Sequence, residues 1–244
     1  MNPLSENIDV VILCGGLGTR LRNIIHDRPK PMAKINHRPF LDILVEYLSR
    51  YGCKRFILCT GYKRDFVRRY YDDKVYPISL LFSEEKEPLG TAGAIKNAEL
   101  LIQSNVFLVM NGDSFCKINI YNFLEFHTSK ESFASIALIP TDTSSECGIV
   151  KITDTHRIVS FHEKVVDADG FVNAGIYVFD KEVLSLIPAG KKYSFEYDLF
   201  PTLIQQRNMY GFVENQQLID IGIPERYELA QKVFRNFTYQ TMRR

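Results

Sequence analysis

Near its beginning the chain reads Val10-Val11-Ile12-Leu13-Cys14-Gly15-Gly16-Leu17-Gly18-Thr19-Arg20-Leu21. The apolar run from Val10 to Cys14 does not alternate with polar residues, which predicts a strand buried on both faces. The paired glycines after it end the strand and begin a loop. In a parallel sheet, ligands bind beyond the carboxyl ends of the strands, and the first such loop often holds phosphate. The stretch therefore indicates an α/β protein with an anion site after its first strand.

Beyond this loop, apolar β-rich runs alternate with segments of helical spacing. Phe40, Leu44 and Leu48, for example, recur at the spacing of one helix face, and Gly52 ends that helix. Such alternation predicts βαβ units and hence a mostly parallel, Rossmann-like sheet flanked by helices. The predicted strands are 10–14, 55–60, 79–82, 106–110 and 135–139, and the predicted helices are 40–51, 66–71, 91–101 and 121–128.

The chain changes character after residue 140, where short strand patterns follow one another without helices between them. They cover 148–152, 158–162 and 175–179, and they predict a small antiparallel addition that carries part of a pocket. An amphipathic helix over 224–237, with Pro224 in its first turn, closes the pattern. Because the 244 residues contain no linker, repeat or low-complexity tract, they predict a single domain.

Composition limits the classes of partner and the compartment. Lysine and arginine total 30 and aspartate and glutamate 29, so the net charge is +1. This balance argues against a general binder of nucleic acid or anionic membranes, which carries a large basic excess. Five cysteines without CxxC spacing, most of them in apolar runs, indicate buried thiols in a cytoplasmic protein. Neither a signal peptide nor an apolar run of the ~20 residues of a membrane helix is present in the sequence.

The spacing of the glycine loop excludes two familiar phosphate-binding motifs. A dinucleotide fingerprint that starts at Gly16 and Gly18 needs its third glycine where Leu21 stands. A Walker loop needs Ser or Thr after Gly-Lys, but Gly190-Lys191 is followed by Lys192. The absence of the dinucleotide fingerprint also excludes an NAD-dependent redox enzyme.

Two cations stand close to the glycine loop in the sequence. Arg20 lies within it, and Lys30 follows in the segment Pro29-Lys30-Pro31-Met32. Proline on both sides predicts that Lys30 projects from a stiff, extended segment. One arginine and one lysine that converge on a glycine loop predict a site for a triphosphate.

In these motifs the chain resembles the sugar-1-phosphate nucleotidylyltransferases. The glycine loop followed by Pro29-Lys30-Pro31-Met32 is the most specific part of the resemblance. Among the members of the family, the chain is most similar to the D-glycero-D-manno-heptose 1-phosphate guanylyltransferases. The resemblance continues in the family's order over nearly the whole chain, through Pro88-Leu89-Gly90-Thr91-Ala92-Gly93-Ala94, Asn111-Gly112-Asp113, Glu163-Lys164, Asn173-Ala174-Gly175 and Asp220-Ile221-Gly222.

The resemblance implies an enzyme that converts a sugar 1-phosphate and a nucleoside triphosphate into a nucleotide sugar and pyrophosphate. The attacking phosphate has a second pKa of about 6, so it needs no protein base. Catalysis then rests on positioning and on cations, and the implied cofactor is Mg²⁺. The implied partners are small molecules, an NTP and a sugar 1-phosphate. The oligomeric state is left open, with a homodimer as one possibility. The resemblance also assigns about 8–140 to nucleotide binding and about 141–222 to sugar-phosphate binding.

The resemblance carries roles onto individual residues of this chain. Asp113 and Asp220 are expected to hold the metal, since Mg²⁺ prefers a few carboxylate oxygens and completes its coordination with phosphate and water. The expected catalytic cations are Arg20, Lys30 and Lys164. The expected sugar-phosphate contacts are Asn111, Gly148, Glu163, Lys164 and Asn173. The expected nucleotide contacts are Leu13, Gly15, Gly16, Gly18, Thr19, Glu85, Gly90 and Thr91.

The identity of the nucleotide base is predicted from a carboxylate near the expected nucleoside site. Guanine presents two adjacent donors, N1–H and N2–H, and a carboxylate can accept from both at once. Glu85 or its neighbour Glu84 precedes Gly90 closely enough to meet the base, which favours GTP. The run Glu84-Glu85-Lys86-Glu87 is equally typical of a solvated charged loop.

The predicted function is therefore the transfer of a guanylyl group from GTP to D-glycero-α-D-manno-heptose 1-phosphate, for surface polysaccharide synthesis. A mannose-1-phosphate guanylyltransferase and a glucose-1-phosphate thymidylyl- or uridylyltransferase are alternatives of the same class. A non-catalytic regulatory subunit that binds nucleotide sugars is an alternative of another class. The intact set Arg20, Lys30, Asp113, Lys164 and Asp220 argues against that subunit, because degenerate subunits tend to lose such charges.

Overall fold

The structure, a computed structural model, describes residues 7–21, 24–72, 77–140, 147–165 and 170–240. The side chains of residues 147, 163–165 and 236–240 lie outside this description. The strands are β1 Asp9–Leu13, β2 Lys34–Ile35, β3 Arg38–Pro39, β4 Arg55–Thr60, β5 Ser79–Glu84, β6 Val106–Asn111, β7 Ser114–Cys116, β8 Ala134–Pro140, β9 Cys147–Ile152, β10 Ile158–Val165, β11 Phe171–Asp180, β12 Met209–Val213 and β13 Leu218–Asp220. The α-helices are α1 Phe40–Arg50, α2 Arg64–Asp72, α3 Gly90–Asn97, α4 Ile120–Ser129, α5 Phe200–Gln206 and α6 Pro224–Gln240.

A mostly parallel half-sheet carries the predicted βαβ pattern. Strand β1 lies between β6 and β4, β5 follows β4, and all these neighbours are parallel. In register, Leu13 pairs with both Cys59 and Asn111, and Thr60 pairs with Glu84. The carboxyl ends of the four strands therefore share one edge of the sheet, which confirms the predicted fold class for this part of the chain.

Helices cover both faces of the sheet, as the unbroken apolar run of β1 predicts. Val10 and Ile12 lie in the core on one face, which includes residues of α1, α2 and α6. Val11 lies in the core on the other face, with residues of α3 and α5. All three valine and isoleucine side chains have no exposed surface.

The later strands differ in part from the predicted antiparallel addition. Strands β9 and β10 form an antiparallel pair, as predicted, but β11 runs through the main sheet between β6 and β8 and is antiparallel to both. The prediction began this strand at Gly175, whereas its first residues, Phe171 and Val172, pair with β9. Gly175 adopts a positive φ of 74° within an irregularity of the β11–β8 register. Because of this bulge, the sequence before Gly175 resembles a turn, although it belongs to the strand.

Several smaller elements were absent from the sequence prediction. Strand β12 adds to the sheet beside β8, and β13 pairs with β7 in a two-stranded ribbon.

The predicted helix 91–101 is wrong at its end, because α3 stops at Asn97 and a separate 3-10 turn covers Glu99–Leu101. Within the described residues, no helix is long and apolar enough to cross a membrane.

Four of the five cysteines lie in the described part of the core. Cys14, Cys53, Cys59 and Cys116 are buried and free, as predicted, and burial raises the pKa of each thiol. Such thiols are inert at neutral pH.

Candidate active site

A cavity of about 400 Å³ opens at the edge of the sheet where β1, β5 and β6 end. It brings together twelve of the residues singled out in the sequence: Leu13, Gly15, Gly16, Gly18, Thr19, Arg20, Lys30, Glu85, Gly90, Thr91, Asn111 and Asp113. These residues come from five separate segments of the chain. Their convergence follows from the parallel register, which places the loops after β6, β1, β4 and β5 along one edge of the sheet.

The glycine loop approaches its neighbours too closely for side chains at two positions. A Cβ on Gly15 would lie 2.8 Å from Oε1 of Glu85. Gly18 has a positive φ of 58°, and a Cβ there would lie 3.2 Å from Cβ of Lys30. The loop therefore lets Glu85 and Lys30 pack against its backbone, and the 3-10 turn Thr19–Leu21 follows.

Of the two glutamates considered for base recognition, Glu85 is the one that lines the cavity. It is buried, 8% exposed, and its Oε2 accepts a hydrogen bond of 3.0 Å from the backbone N–H of Leu89. Burial raises the pKa of Glu85, while the Leu89 bond opposes that shift. The alternative, Glu84, does not line the cavity and instead forms an ion pair with Arg68. Between the two carboxylates left open by the sequence, the geometry favours Glu85.

Lys30 forms an ion pair of 2.7 Å with Asp113. The expectation of an extended segment around it is wrong, because Lys30–Met32 forms a 3-10 turn. The backbone N–H of Ala33 donates to the carbonyl of Lys30 at 2.9 Å, and Pro31 fits inside the turn because its second position requires no N–H donor. The lysine side chain is only 12% exposed, whereas that of Asp113 is 41% exposed. The carboxylate is therefore the more accessible member of the pair.

Asp220 reaches the same region through the β7–β13 ribbon. It pairs in register with Ser114, and the N–H of Ile221 donates to the carbonyl of Asp113 at 3.0 Å. The carboxylate of Asp220 accepts from the N–H of Gly222 at 2.7 Å and forms an ion pair with Arg226 of α6. Asp220 itself does not line the cavity, whereas Gly222 does.

Asp113 and Asp220 supply the type of oxygen donor that a magnesium ion takes, and their role as metal ligands stays a prediction. Two carboxylates, Asp113 and Asp220, stand on adjoining segments, and no group of three His, Cys, Asp or Glu side chains suited to a metal occurs among the residues that the structure describes. Mg²⁺ commonly takes one or two protein carboxylates and completes its octahedron with phosphate and water. The arrangement matches that preference better than a site built by protein ligands alone.

The segment 191–196 closes the cavity beside Gly90. The N–H of Gly93 donates to the carbonyl of Tyr193 at 2.9 Å, and the N–H of Phe195 donates to the hydroxyl of Thr91 at 2.7 Å. The Thr91 side chain thus fastens this segment, and Lys192 is presented to the cavity. Sequence reasoning missed Lys192, although the unusual Gly190-Lys191-Lys192 run was the available signal.

The predicted sugar-phosphate residues are only partly brought to the cavity. Asn111 lines it, but Asn173 and Gly148 do not. The Asn173 amide donates to the Tyr177 hydroxyl at 2.9 Å and accepts from the N–H of Gly175, also at 2.9 Å. A Cβ on Gly148 would lie 2.9 Å from the ring of Phe161. Both residues thus have structural roles, and their contact with sugar stays a prediction.

Two further predicted residues, Glu163 and Lys164, belong to strand β10. Their side chains lie outside the described part of the structure. Their roles, as the acceptor of sugar hydroxyls and the partner of the sugar phosphate, stay predictions.

Comparisons with known proteins match this chain over nearly its whole length. It is 36% identical over 230 residues to a D-glycero-alpha-D-manno-heptose 1-phosphate guanylyltransferase from Aneurinibacillus thermoaerophilus, covering 94% of this chain and 100% of the relative. It is 37% identical to a protein of the same name from Campylobacter jejuni, covering 90% of this chain and 97% of the relative.

Solved structures show the same similarity. The crystal structure of HddC from Yersinia pseudotuberculosis is 38% identical and has a TM-score of 0.83, with 93% of this chain and 99% of that chain covered. A second structure of HddC is complexed with GMP-PN. The model of the nucleotidyl transferase family matches residues 9–236. The chain therefore belongs to the nucleotidyl transferase family, as its glycine loop and Pro29-Lys30-Pro31-Met32 predict.

Proposed function

We propose that the enzyme transfers a guanylyl group from GTP to D-glycero-α-D-manno-heptose 1-phosphate, giving GDP-heptose and pyrophosphate. The observation that carries the proposal is the buried carboxylate of Glu85, which faces a cavity that also holds the glycine loop, Lys30 and Asp113. The names of the Aneurinibacillus and Campylobacter relatives and the GMP-PN complex of HddC support the choice of sugar and base. The buried free thiols support a reducing compartment, the cytoplasm.

In the proposed reaction an oxygen of the sugar phosphate attacks the α-phosphorus of GTP. A bond forms between that oxygen and the α-phosphorus, while the bond from the α-phosphorus to the bridging oxygen of pyrophosphate breaks. The pyrophosphate leaves with the electron pair, so no protein base is required. Arg20, Lys30 and Lys192 at the cavity, with Lys164, offset the repulsion between the two anions and the charge on the leaving group.

Base selection is assigned to Glu85. One carboxylate can accept from both N1–H and N2–H of guanine, and Oε1 lies against the glycine loop while Oε2 is fixed by Leu89. Uracil and thymine present a donor beside an acceptor, which a carboxylate cannot satisfy as a pair. The proposed site therefore discriminates against pyrimidine imides by leaving an acceptor opposite an acceptor.

The proposed cofactor is Mg²⁺, held by Asp113 and Asp220. When bound, it supplies positive charge that neutralises phosphate oxygens. In the chain alone, Lys30 and Arg226 balance these two carboxylates. Lys30 and Arg226 thereby also hold the two carboxylates in place before substrate enters.

A pyrophosphate-release screen tests the proposal directly. Four NTPs are combined with manno-heptose, mannose and glucose 1-phosphates in the presence of Mg²⁺. The highest kcat/KM is expected for GTP with the heptose phosphate. A preference for mannose 1-phosphate would favour the mannose-1-phosphate guanylyltransferase, and no turnover with any pair would favour a binding subunit.

The metal assignment predicts that Asp113→Asn abolishes Mg²⁺-dependent pyrophosphate release, with a loss of about 10³-fold or more, because one charged oxygen ligand is removed. Circular dichroism should show an unchanged fold, since the side chain is at the surface of the cavity. Asp154→Asn, at an exposed loop position, is the matched control. Normal turnover in the Asp113 variant would remove Asp113 from the site.

A further inference from the structure

The segment Ser83–Glu85, at the end of β5, is held by contacts on several sides. The N–H of Glu85 donates to the carbonyl of Thr60 at 2.8 Å. From α3, the Asn97 amide donates to the Ser83 hydroxyl at 2.9 Å and to the carbonyl of Glu84 at 3.3 Å. This segment therefore has little freedom to move at its strand side.

Helix α2 supplies the contact on the other side. The Nη1 of Arg64 donates to the backbone carbonyl of Glu85 at 3.2 Å, and its Nε lies 3.8 Å from Oε2 of Glu84. Arg68, one turn later, binds the Glu84 side chain through Nε at 2.9 Å and Nη2 at 2.5 Å, and its guanidinium lies over the Phe82 ring. Both arginines thus lie near Glu84, and among the described residues Arg64 is the one of the two that also binds the backbone of Glu85.

Arg64 and Glu85 also line a second cavity together. This cavity, of about 310 Å³, is lined by Tyr62 as well and shares Gly15, Glu85 and Pro88 with the first. The loop that leads into α2 touches the glycine loop, since the N–H of Tyr62 donates to the carbonyl of Gly15 at 3.4 Å. Glu85 therefore lines both cavities, whereas Arg64 lines only the second of them.

We infer that Arg64 is a positioning residue for guanine selection, acting through the backbone of Glu85. The inference rests on the proposed function, because it concerns the base that Glu85 recognises. A site that selects by hydrogen bonds rejects analogues strongly only when its acceptors cannot move to suit them. Arg64 binds the carbonyl of Glu85 and the N–H of Leu89 binds one carboxylate oxygen, so the two contacts together restrict the carboxylate that is proposed to accept both guanine donors.

The test compares Arg64→Gln with the matched control Arg68→Gln and the conservative Arg64→Lys. For each protein, kcat and KM are measured with GTP and with ITP, which lacks the N2 amino group. In Arg64→Gln, KM for GTP is expected to rise about tenfold with kcat changed less than threefold, and the GTP-to-ITP ratio of kcat/KM to fall toward unity. Arg64→Lys should recover part of that ratio, and Arg68→Gln should keep the ratio of the wild type.

Because the GTP-to-ITP ratio is measured within one protein, partial unfolding of a variant does not change it. An unchanged ratio in Arg64→Gln, or an equal fall in Arg68→Gln, would overturn the inference while leaving the proposed function standing. A wild-type enzyme that shows no preference for GTP would overturn the proposed function and the inference together.

Discussion

Glu85 has a carboxyl group in a largely buried position, and the proposed selection of guanine depends on the charge of that group. Glu85→Gln replaces one acceptor by an amide donor, which faces a donor of guanine. Because a hydrogen bond to a charged group contributes about 1.5–3 kcal/mol, kcat/KM for GTP is expected to fall about 10- to 100-fold. Initial rates with GTP and UTP measure the effect, and Glu84→Gln, at the exposed ion pair with Arg68, is the control. Unchanged discrimination in Glu85→Gln would contradict the assignment.

The same residue predicts a pH dependence. Burial raises the pKa of Glu85, so its carboxylate becomes protonated at a higher pH than an ordinary glutamate. As the pH falls through that raised pKa, the neutral form loses acceptor capacity and KM for GTP should rise. The phosphates of the substrates also titrate at about pH 6. The effect of Glu85 is therefore measured by comparing KM for GTP as a function of pH in the wild type with the same curve in Glu85→Gln.

Gly15 determines where the Glu85 carboxylate can lie. In Gly15→Ala the new Cβ would stand 2.8 Å from Oε1, which displaces the carboxylate from the position proposed for base recognition. We expect the KM for GTP to rise about tenfold or more, and the GTP-to-ITP ratio to fall. In Gly16→Ala the Cβ meets no atom within 4 Å, so that variant should keep the ratio. An equal loss of selectivity in both variants would show that the loop, rather than its contact with Glu85, is responsible.

The sequence predicts site residues well where the chemistry lies in a short motif, and poorly where it depends on distant pairing. Lys30 and Asp113 belong to recognisable motifs, and the structure brings them into contact although 83 positions separate them. Arg226 and Arg64 belong to no such motif. Their contacts with Asp220 and with the Glu85 carbonyl appear only when the fold brings a helix against a loop.

At the scale of elements, α6 connects the end of the chain to the core beneath the site. Phe234 is fully buried, with its ring centroid 6.0 Å from that of Phe40 and 5.4 Å from that of Phe115. Phe234→Ala removes these contacts and should lower the free energy of unfolding by about 3–5 kcal/mol. Urea denaturation measures the loss.

The control for this helix is Leu229→Ala. Leu229 lies on the outer face of α6 and is 48% exposed, so its truncation should change the unfolding free energy by about 0.5 kcal/mol or less. Equal losses in the two variants would contradict the assignment of Phe234 as the anchor of α6.

The elements that the sequence predicts are those whose signal is local. The apolar run of β1 and the helical spacing of α1 suffice for both, and their bounds agree with the prediction within one residue. Strand β11 differs because its bulge at Gly175 and its pairing with β6, β8 and β9 are long-range features. The three-residue strands β7 and β13 form by pairing with each other. The sequence does not predict them, because segments so short have no periodicity of their own.

For the whole molecule, opposite charges are paired at the two carboxylates proposed to hold the metal. Lys30 forms an ion pair with Asp113 and Arg226 forms one with Asp220, so each carboxylate has a cationic partner in the chain itself. A balance of 30 basic and 29 acidic residues is therefore compatible with a binder of small polyanions. A binder of small polyanions is recognised by ion pairs of this kind that lie together at one edge of the sheet, and not by its net charge.

At the opposite end of the sheet a buried histidine makes the stability of the whole molecule depend on pH. His127 of α4 is 3% exposed and its Nδ1 lies 2.9 Å from the hydroxyl of Ser135. Burial lowers the pKa of His127 from 6.5 to about 4, against an opposing effect of Asp180. Between these two values the unfolded chain binds a proton that the folded chain does not, so stability is present above the unfolded pKa and is lost as the pH falls.

We expect His127 to remove about 2 kcal/mol of unfolding free energy between about pH 7 and pH 4.5, in addition to the acid sensitivity of the carboxylates. His127→Gln cannot take up this proton, so its unfolding free energy should decline less over the same interval, even if the variant is less stable at neutral pH. His162→Gln, at an exposed position of β10, should decline like the wild type. Chemical denaturation at a series of pH values measures the three slopes. Equal slopes for His127→Gln and the wild type would mean that the folded protein binds a proton at His127 as readily as the unfolded chain does, which the burial of His127 beside Ser135 argues against.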